Sequence, residues 1–363
     1  MPTRFGSVLE QAVTRLRAGD ALPALAQATA VLAAFGPGAG GDGQVVVEDA
    51  VVAGDAVAIV AALVVVARSH QALADHAAAR AALDRARQAV AALDEPLVRV
   101  EVLAALASQA RVEGRYSDAH DRLATAIAEA TAVAGDGSVM VACLRNELAV
   151  CCRHLARLDE AEALHRRSLA ALESHLGPDH ADVAGVWRNL AATAYARGDH
   201  RAAAVLGRRG LAIRLAALGD GHPAVAADRA ALAPIVHALR RPAEAELLLR
   251  QALAVFEQVL GPDHHEVAVT LHNLAAVHHE GGRLGEAAAG YARSLEIRGR
   301  ALGDDHPDLG TTLVNLAVLE RARGRHEAAG AALHRAIGLL EPAVPGDHPT
   351  LLAAREELAV LTT

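Results

Sequence analysis

The sequence predicts an all-α fold, a solenoid of antiparallel helix pairs, on three observations. A short loop sequence and several small residues recur every 42 residues through most of the chain. The composition is 53% hydrophobic yet only 2% aromatic, which suits closely packed helices better than a β-sandwich. Within each repeat, apolar residues follow a helical period that is broken once, usually at a glycine.

The loop is the clearest element. Leu176-Gly177-Pro178-Asp179-His180 returns as Leu218-Gly219-Asp220-Gly221-His222, as Leu260-Gly261-Pro262-Asp263-His264 and as Leu302-Gly303-Asp304-Asp305-His306. A worn copy ends in Gly346-Asp347-His348. The aspartate or the histidine is placed to cap the helix that follows, and proline after the histidine suits a first helical turn. A metal ladder of these histidines is excluded by distance, since equivalent points on neighbouring repeats lie roughly 10–20 Å apart.

The interior carries three further series with the same spacing. The first is Ala107, Ala149, Ala191, Ala233, Ala275, Ala317 and Ala359. The second is Ala77, Ala119, Ala161, Ala203, Ala245, Ala287 and Ala329. The third is always small: Ala126, Ser168, Gly210, Ala252, Ser294 and Ala336. Gly114, Gly198, Gly282 and Gly324 fall between the first two series. Each repeat therefore reads as helix A, a tight turn, helix B and a loop, with small residues where the two backbones approach. Pro234 lies inside one predicted A helix and should kink it.

Residues 1–35 read as a degenerate N-terminal helix pair or cap, with Ala12, Gly19 and Ala24 at the matching places. Residues 36–47 read as a glycine-rich loop, 48–347 as an array of about seven 42-residue repeats, and 348–363 as a C-terminal capping helix. The stretch Gly36 to Gly43 lacks the Lys-Ser/Thr of a phosphate-binding loop and reads as a connector. The apolar run from Ala56 to Ala67 is 12 residues long, short of the roughly 20 a membrane span needs, and reads as a buried helix.

These residues resemble the tetratricopeptide family. Trp187, Leu190, Ala191, Gly198, Ala203 and Gly210 stand where that family's signature falls. The repeat length, the triplets Asn189-Leu190-Ala191, Asn273-Leu274-Ala275 and Asn315-Leu316-Ala317, and the Leu-Gly-x-Asp-His loop are most similar to the kinesin-light-chain type. HEAT and armadillo repeats have comparable periods but lack the glycine-then-alanine turn. The resemblance covers about residues 60–361. It implies a right-handed superhelix in which helix A lines the concave surface, and it is specific for architecture rather than function.

The chain contains no lysine, which suggests GC-rich bacterial coding and excludes both a Walker-type phosphate lysine and a Schiff-base lysine. A net charge of −8 argues against nucleic acid as a partner. Cys143, Cys151 and Cys152 show no CxxC spacing, so a reducing, cytoplasmic setting is expected, without disulfides. No catalytic constellation and no cofactor or metal site is expected. His264, His265, His272, His278 and His279 are dense but contain no HExxH. Cys151, Cys152 and His154 are helix neighbours that face different ways.

The better candidate is the groove that the resemblance implies. One place on successive A helices reads Arg111, Arg153, Tyr195, His237, His279 and Arg321. Arg188 and His272 lie beside that stripe, as do Asn189, Asn273 and Asn315, with Glu147 breaking the asparagine series. Asparagine offers a donor and an acceptor to an extended backbone, and arginine offers a fork to carboxylates. The expected function is a non-enzymatic protein–protein interaction scaffold holding an acidic peptide or protein segment. The alternative is a regulatory, sensor or self-assembling module that controls an effector on another chain. No membrane partner is expected.

Overall fold

The computed structural model describes residues 6–17, 20–35, 53–73, 75–343, 346 and 348–362. The expected connector at 36–47 and Gly19 lie outside them. Among the described residues there are 17 α-helices and no strand.

The chain forms two compact units, Met1–Pro178 and Asp179–Thr363. The first holds α1 (Gly6–Arg17), α2 (Ala21–Ala34), α3 (Ala53–Ala72), α4 (His76–Val90), α5 (Pro96–Val112), α6 (Tyr116–Ala134), α7 (Val139–His154) and α8 (Leu158–Leu176). The second holds α9 (Ala181–Ala196), α10 (His200–Leu218), α11 (Pro223–Ala238), α12 (Pro242–Val259), α13 (His265–Glu280) and α14 (Leu284–Leu302). A short 3₁₀ turn, Pro307–Leu309, then leads into α15 (Gly310–Ala322), α16 (His326–Leu340) and α17 (Pro349–Thr362). From α3 to α16 each odd-numbered helix packs against the even-numbered helix that follows it, forming the A and B arms of one hairpin.

The turn inside each hairpin explains the glycine series. One residue there must adopt left-handed backbone: Gly114, Gly198, Gly282 and Gly324 have φ of 75, 84, 73 and 74°. Ala156 and Arg240 occupy the same place with φ of 59 and 61°, a conformation that disfavours any Cβ. Histidine, rather than the aspartate before it, caps the A helices. Nδ1 of His180, His222, His264 and His306 accepts the backbone N–H two residues on, at 3.1–3.2 Å, and His348 does the same for Thr350 at 3.3 Å.

The alanine series form the seam between A and B. Ala149, Ala191, Ala233, Ala161, Ala203 and Ala245 are all 0–1% exposed. At the third series the hydroxyls of Ser168 and Ser294 donate to the carbonyls of Ala142 and Ala268 on the facing A helix, at 2.7 and 2.8 Å. Gly210 meets the equivalent carbonyl, that of Ala184, so closely that a Cβ would sit 2.9 Å from it.

Two expectations change in detail. Ala77 is exposed, and Ala79 takes its seat in the seam at 0% exposure. The reason is that α3 runs longer than the A helices that follow, which delays α4. Ala359 is exposed: among the described residues no B helix packs over it. Helix α11 runs on through Pro234. By length and composition Asp55–Ala72 of α3 could cross a membrane, but it is a core helix here, with Val60, Ala62, Leu63 and Ala67 all 0% exposed among α1, α2, α4 and α5.

Candidate peptide-binding face

The A helices build the candidate face. In the second unit each touches the next, α9 with α11, α11 with α13, α13 with α15 and α15 with α17, whereas no two consecutive B helices lie as close. The A helices therefore line the inner side of this stack, and side chains between them are only partly covered.

Three of the six stripe residues, Arg111, His237 and Arg321, meet a carboxylate on the next A helix. His237 Nε2 on α11 is 3.4 Å from Glu280 on α13, and Arg321 on α15 reaches Glu357 on α17 at 3.1 Å. In the first unit Arg111 on α5 reaches Glu147 on α7 at 3.3 Å. Glu147 and Glu357 fill the place that asparagine holds in other repeats, so the break in the asparagine series follows a rule: where a glutamate stands there, the arginine of the preceding repeat takes it. Part of the stripe's positive charge is thus neutralised within the chain.

Arg153, also in the first unit, approaches His154 Nε2 at 3.1 Å, and burial lowers its pKa. Tyr195 is 37% exposed, its ring 5.0 Å from that of His200. Asn189 is half-buried on α9.

Helices α13 and α15 carry the most developed polar cluster. His272 Nδ1 lies 3.0 Å from the Thr312 hydroxyl, and the Asn315 amide lies 3.3 Å from its Nε2. Its ring meets Tyr291 edge-on at 5.4 Å. Burial, with Arg298 adding repulsion, pushes His272 down to about 4, so it is neutral at physiological pH. Asn273, the residue after His272, and His279, two turns further along α13, are half-buried and hold no side-chain hydrogen bond with the described residues. Arg188 lies elsewhere on the face, 3.5 Å from Asp228. Arg214 also holds Asp228, at 2.6 Å, yet burial raises this carboxyl's pKa and its Oδ1 has no hydrogen-bond partner. Asp228 borders a hollow of about 30 Å³ also lined by Arg188, Ala191, Gly207 and Ala231, room for a water rather than a side chain.

Asp228 and the His272–Thr312 contact were not anticipated. Asp228 reads as a surface aspartate until α10 brings Arg214 onto it. Thr312 lies in the next repeat from His272, and only the stacking of A helices joins them.

The family model described as tetratricopeptide repeat matches residues 140–216, 231–299 and 266–342. No curated protein matches. Among solved structures, a Rap protein complexed with competence and sporulation factor superposes with a TM-score of 0.64 at 13% identity, covering 98% of this chain and 97% of that one. NprR in complex with its cognate peptide NprX gives 0.62 at 12% identity, covering 100% and 98%. BtubC (BKLC) from P. vanneervenii gives 0.50 at 25% identity, covering 69% and 94%.

Proposed function

We propose, from the premise that the chain belongs to the tetratricopeptide repeat family, that it is a non-catalytic scaffold whose A-helix face holds an extended segment of a peptide or partner protein. The observation that carries this reading is the half-buried polar cluster on α13 and α15. His272 is held neutral by burial and oriented by Thr312 and Asn315, while Asn273 and His279 keep hydrogen-bonding capacity on the same helix. Half-buried amides beside a fixed imidazole suit the N–H and C=O groups of an extended backbone. Arg188, Asn189 and Tyr195 would extend the contact along α9.

The preferred segment is acidic. A ligand carboxylate would exchange with Glu357 for Arg321 and, in the first unit, with Glu147 for Arg111, while Arg153 offers a further cation. Because a carboxylate already occupies two of these arginines, charge selectivity should be modest and salt-dependent. The likeness to NprR in complex with its cognate peptide, and to Rap complexed with competence and sporulation factor, favours a regulatory role in which ligand occupancy controls an effector.

The test is a pull-down with the full chain against Asn273→Ala/His279→Ala and Arg153→Ala/Arg321→Ala variants. Loss of the same retained partner in both variants, and weaker capture at high salt, is expected. Identical capture by wild type and both variants would remove the proposal, and capture indifferent to salt would remove the acidic preference.

A further inference from the structure

In the first unit, away from the A-helix face, three helices bring a histidine, a cysteine and a glutamate together. His120 on α6, Cys152 on α7 and Glu160 on α8 have their ligating atoms within 4.8 Å of one another. His120 Nε2 and Glu160 Oε1 are 4.0 Å apart. Cys152 is wholly buried, His120 is 18% exposed and Glu160 39%. We propose that these three side chains form a binding site for a zinc-type divalent cation, with the fourth position left to water.

The chemistry of the set favours zinc. Thiolate, imidazole and carboxylate suit a borderline-soft ion better than magnesium or calcium. Tetrahedral zinc holds its ligand atoms roughly 3.5 Å apart, so the cluster closes by small side-chain rotations. His120 is already oriented: its Nδ1 lies 3.1 Å from the Asp121 carboxylate, the arrangement that leaves Nε2 as the ligating atom. A cation already sits at the mouth of the cluster. The Arg157 guanidinium spans His120 Nε2 at 3.0 Å and Glu160 Oε2 at 2.6 Å. Metal binding would release the Cys152 thiol proton to solvent and displace Arg157.

The repeat supplies an internal control. Three repeats further along, Glu246, His278, Glu286 and Arg283 stand at the places of His120, Cys152, Glu160 and Arg157. There Arg283 grips Glu246 with both guanidinium nitrogens, at 3.0 and 2.5 Å, and no sulfur is present. The second cluster is an arginine–carboxylate network; only the first has a soft ligand.

The experiment is a titration of the reduced, chelator-treated full chain with Co²⁺, followed by displacement with Zn²⁺. One equivalent giving a sulfur-to-cobalt charge-transfer band is expected. The band should persist in Cys143→Ser, Cys151→Ser and His278→Ala and vanish in Cys152→Ser. Because Cys152 is buried, His120→Gln serves as the second variant and should weaken binding at least tenfold, with helix content checked by circular dichroism. Arg157→Ala removes the competing cation and should tighten binding. No charge-transfer band, or a band unchanged in Cys152→Ser and His120→Gln, would overturn the site; unchanged or weaker binding in Arg157→Ala would overturn the displacement of Arg157.

Discussion

The seam within each hairpin and the wall formed by successive A helices use the same helices under opposite rules. At the seam's three repeating series, side chains shrink to alanine, serine or glycine, and the hydroxyls of Ser168 and Ser294 are satisfied at once by facing carbonyls. Along the wall, residue types change from repeat to repeat, and polar groups are matched in some places (Arg111 with Glu147) and left available in others (Asn273). The seam tolerates no variation because its width sets the position of every later helix. The wall is only partly covered, so each residue can change without moving a backbone.

Acid should strain both regions most. His165 in the seam is 0% exposed beside Asn146, and burial, with Arg153 adding repulsion, pushes it to about 4, as burial does for His272 in the wall. Both are neutral when folded, so their stability is fully present above about 6.5. As pH falls from there to about 4, the unfolded chain takes up protons that the folded chain refuses, and on the order of 3 kcal/mol is lost for each of the two. Thermal denaturation against pH should show this decline, and His272→Gln should flatten it in part. A further loss from about 4.5 to about 2 follows from Glu246, which hydrogen bonds from Arg283 hold near 2.

Next in size is a direct attack on the seam. Ala275 is 1% exposed and already so close to α14 that a Cβ added at Gly290 would lie 2.9 Å from its own. Ala275→Leu should cost about 2 kcal/mol by overpacking, read as a lower denaturation midpoint. A smaller, opposite effect is expected at the turns. Arg240→Gly relieves left-handed backbone at a residue with a side chain and should stabilise by about 0.5–1 kcal/mol, whereas Gly282→Ala should destabilise similarly.

The seam was legible in the sequence because a small residue at a fixed interval has one physical reading. Ala77 and Ala359 misled, since a longer α3 displaces the helix after it and no described B helix covers α17, and none of the residue series reveals either. The wall was legible as a set of faces but not as contacts. Asn315 and His272 are polar residues in different repeats until α13 and α15 stack, and Glu147 looked like an exception before Arg111 was seen to reach it. His120, Cys152 and Glu160 were missed for the same reason, coming from three helices; comparing each repeat with its successors at those places was the available signal.

The smallest expected effect tests whether the wall is free to change. Arg111 and Glu147 are 33% and 45% exposed in their side chains and 3.3 Å apart. At that exposure water screens the pair, and holding two long side chains offsets much of the attraction. A double-mutant cycle with Arg111→Ala and Glu147→Gln should give a coupling of about 0.5 kcal/mol, shrinking with salt. If the coupling instead approaches the effect of Ala275→Leu, the wall is structural in the way the seam is, and exchange of Glu147 for a ligand carboxylate would be too unfavourable to occur. A small coupling leaves Arg111 able to change partners at little cost, which a binding face requires and a seam does not allow.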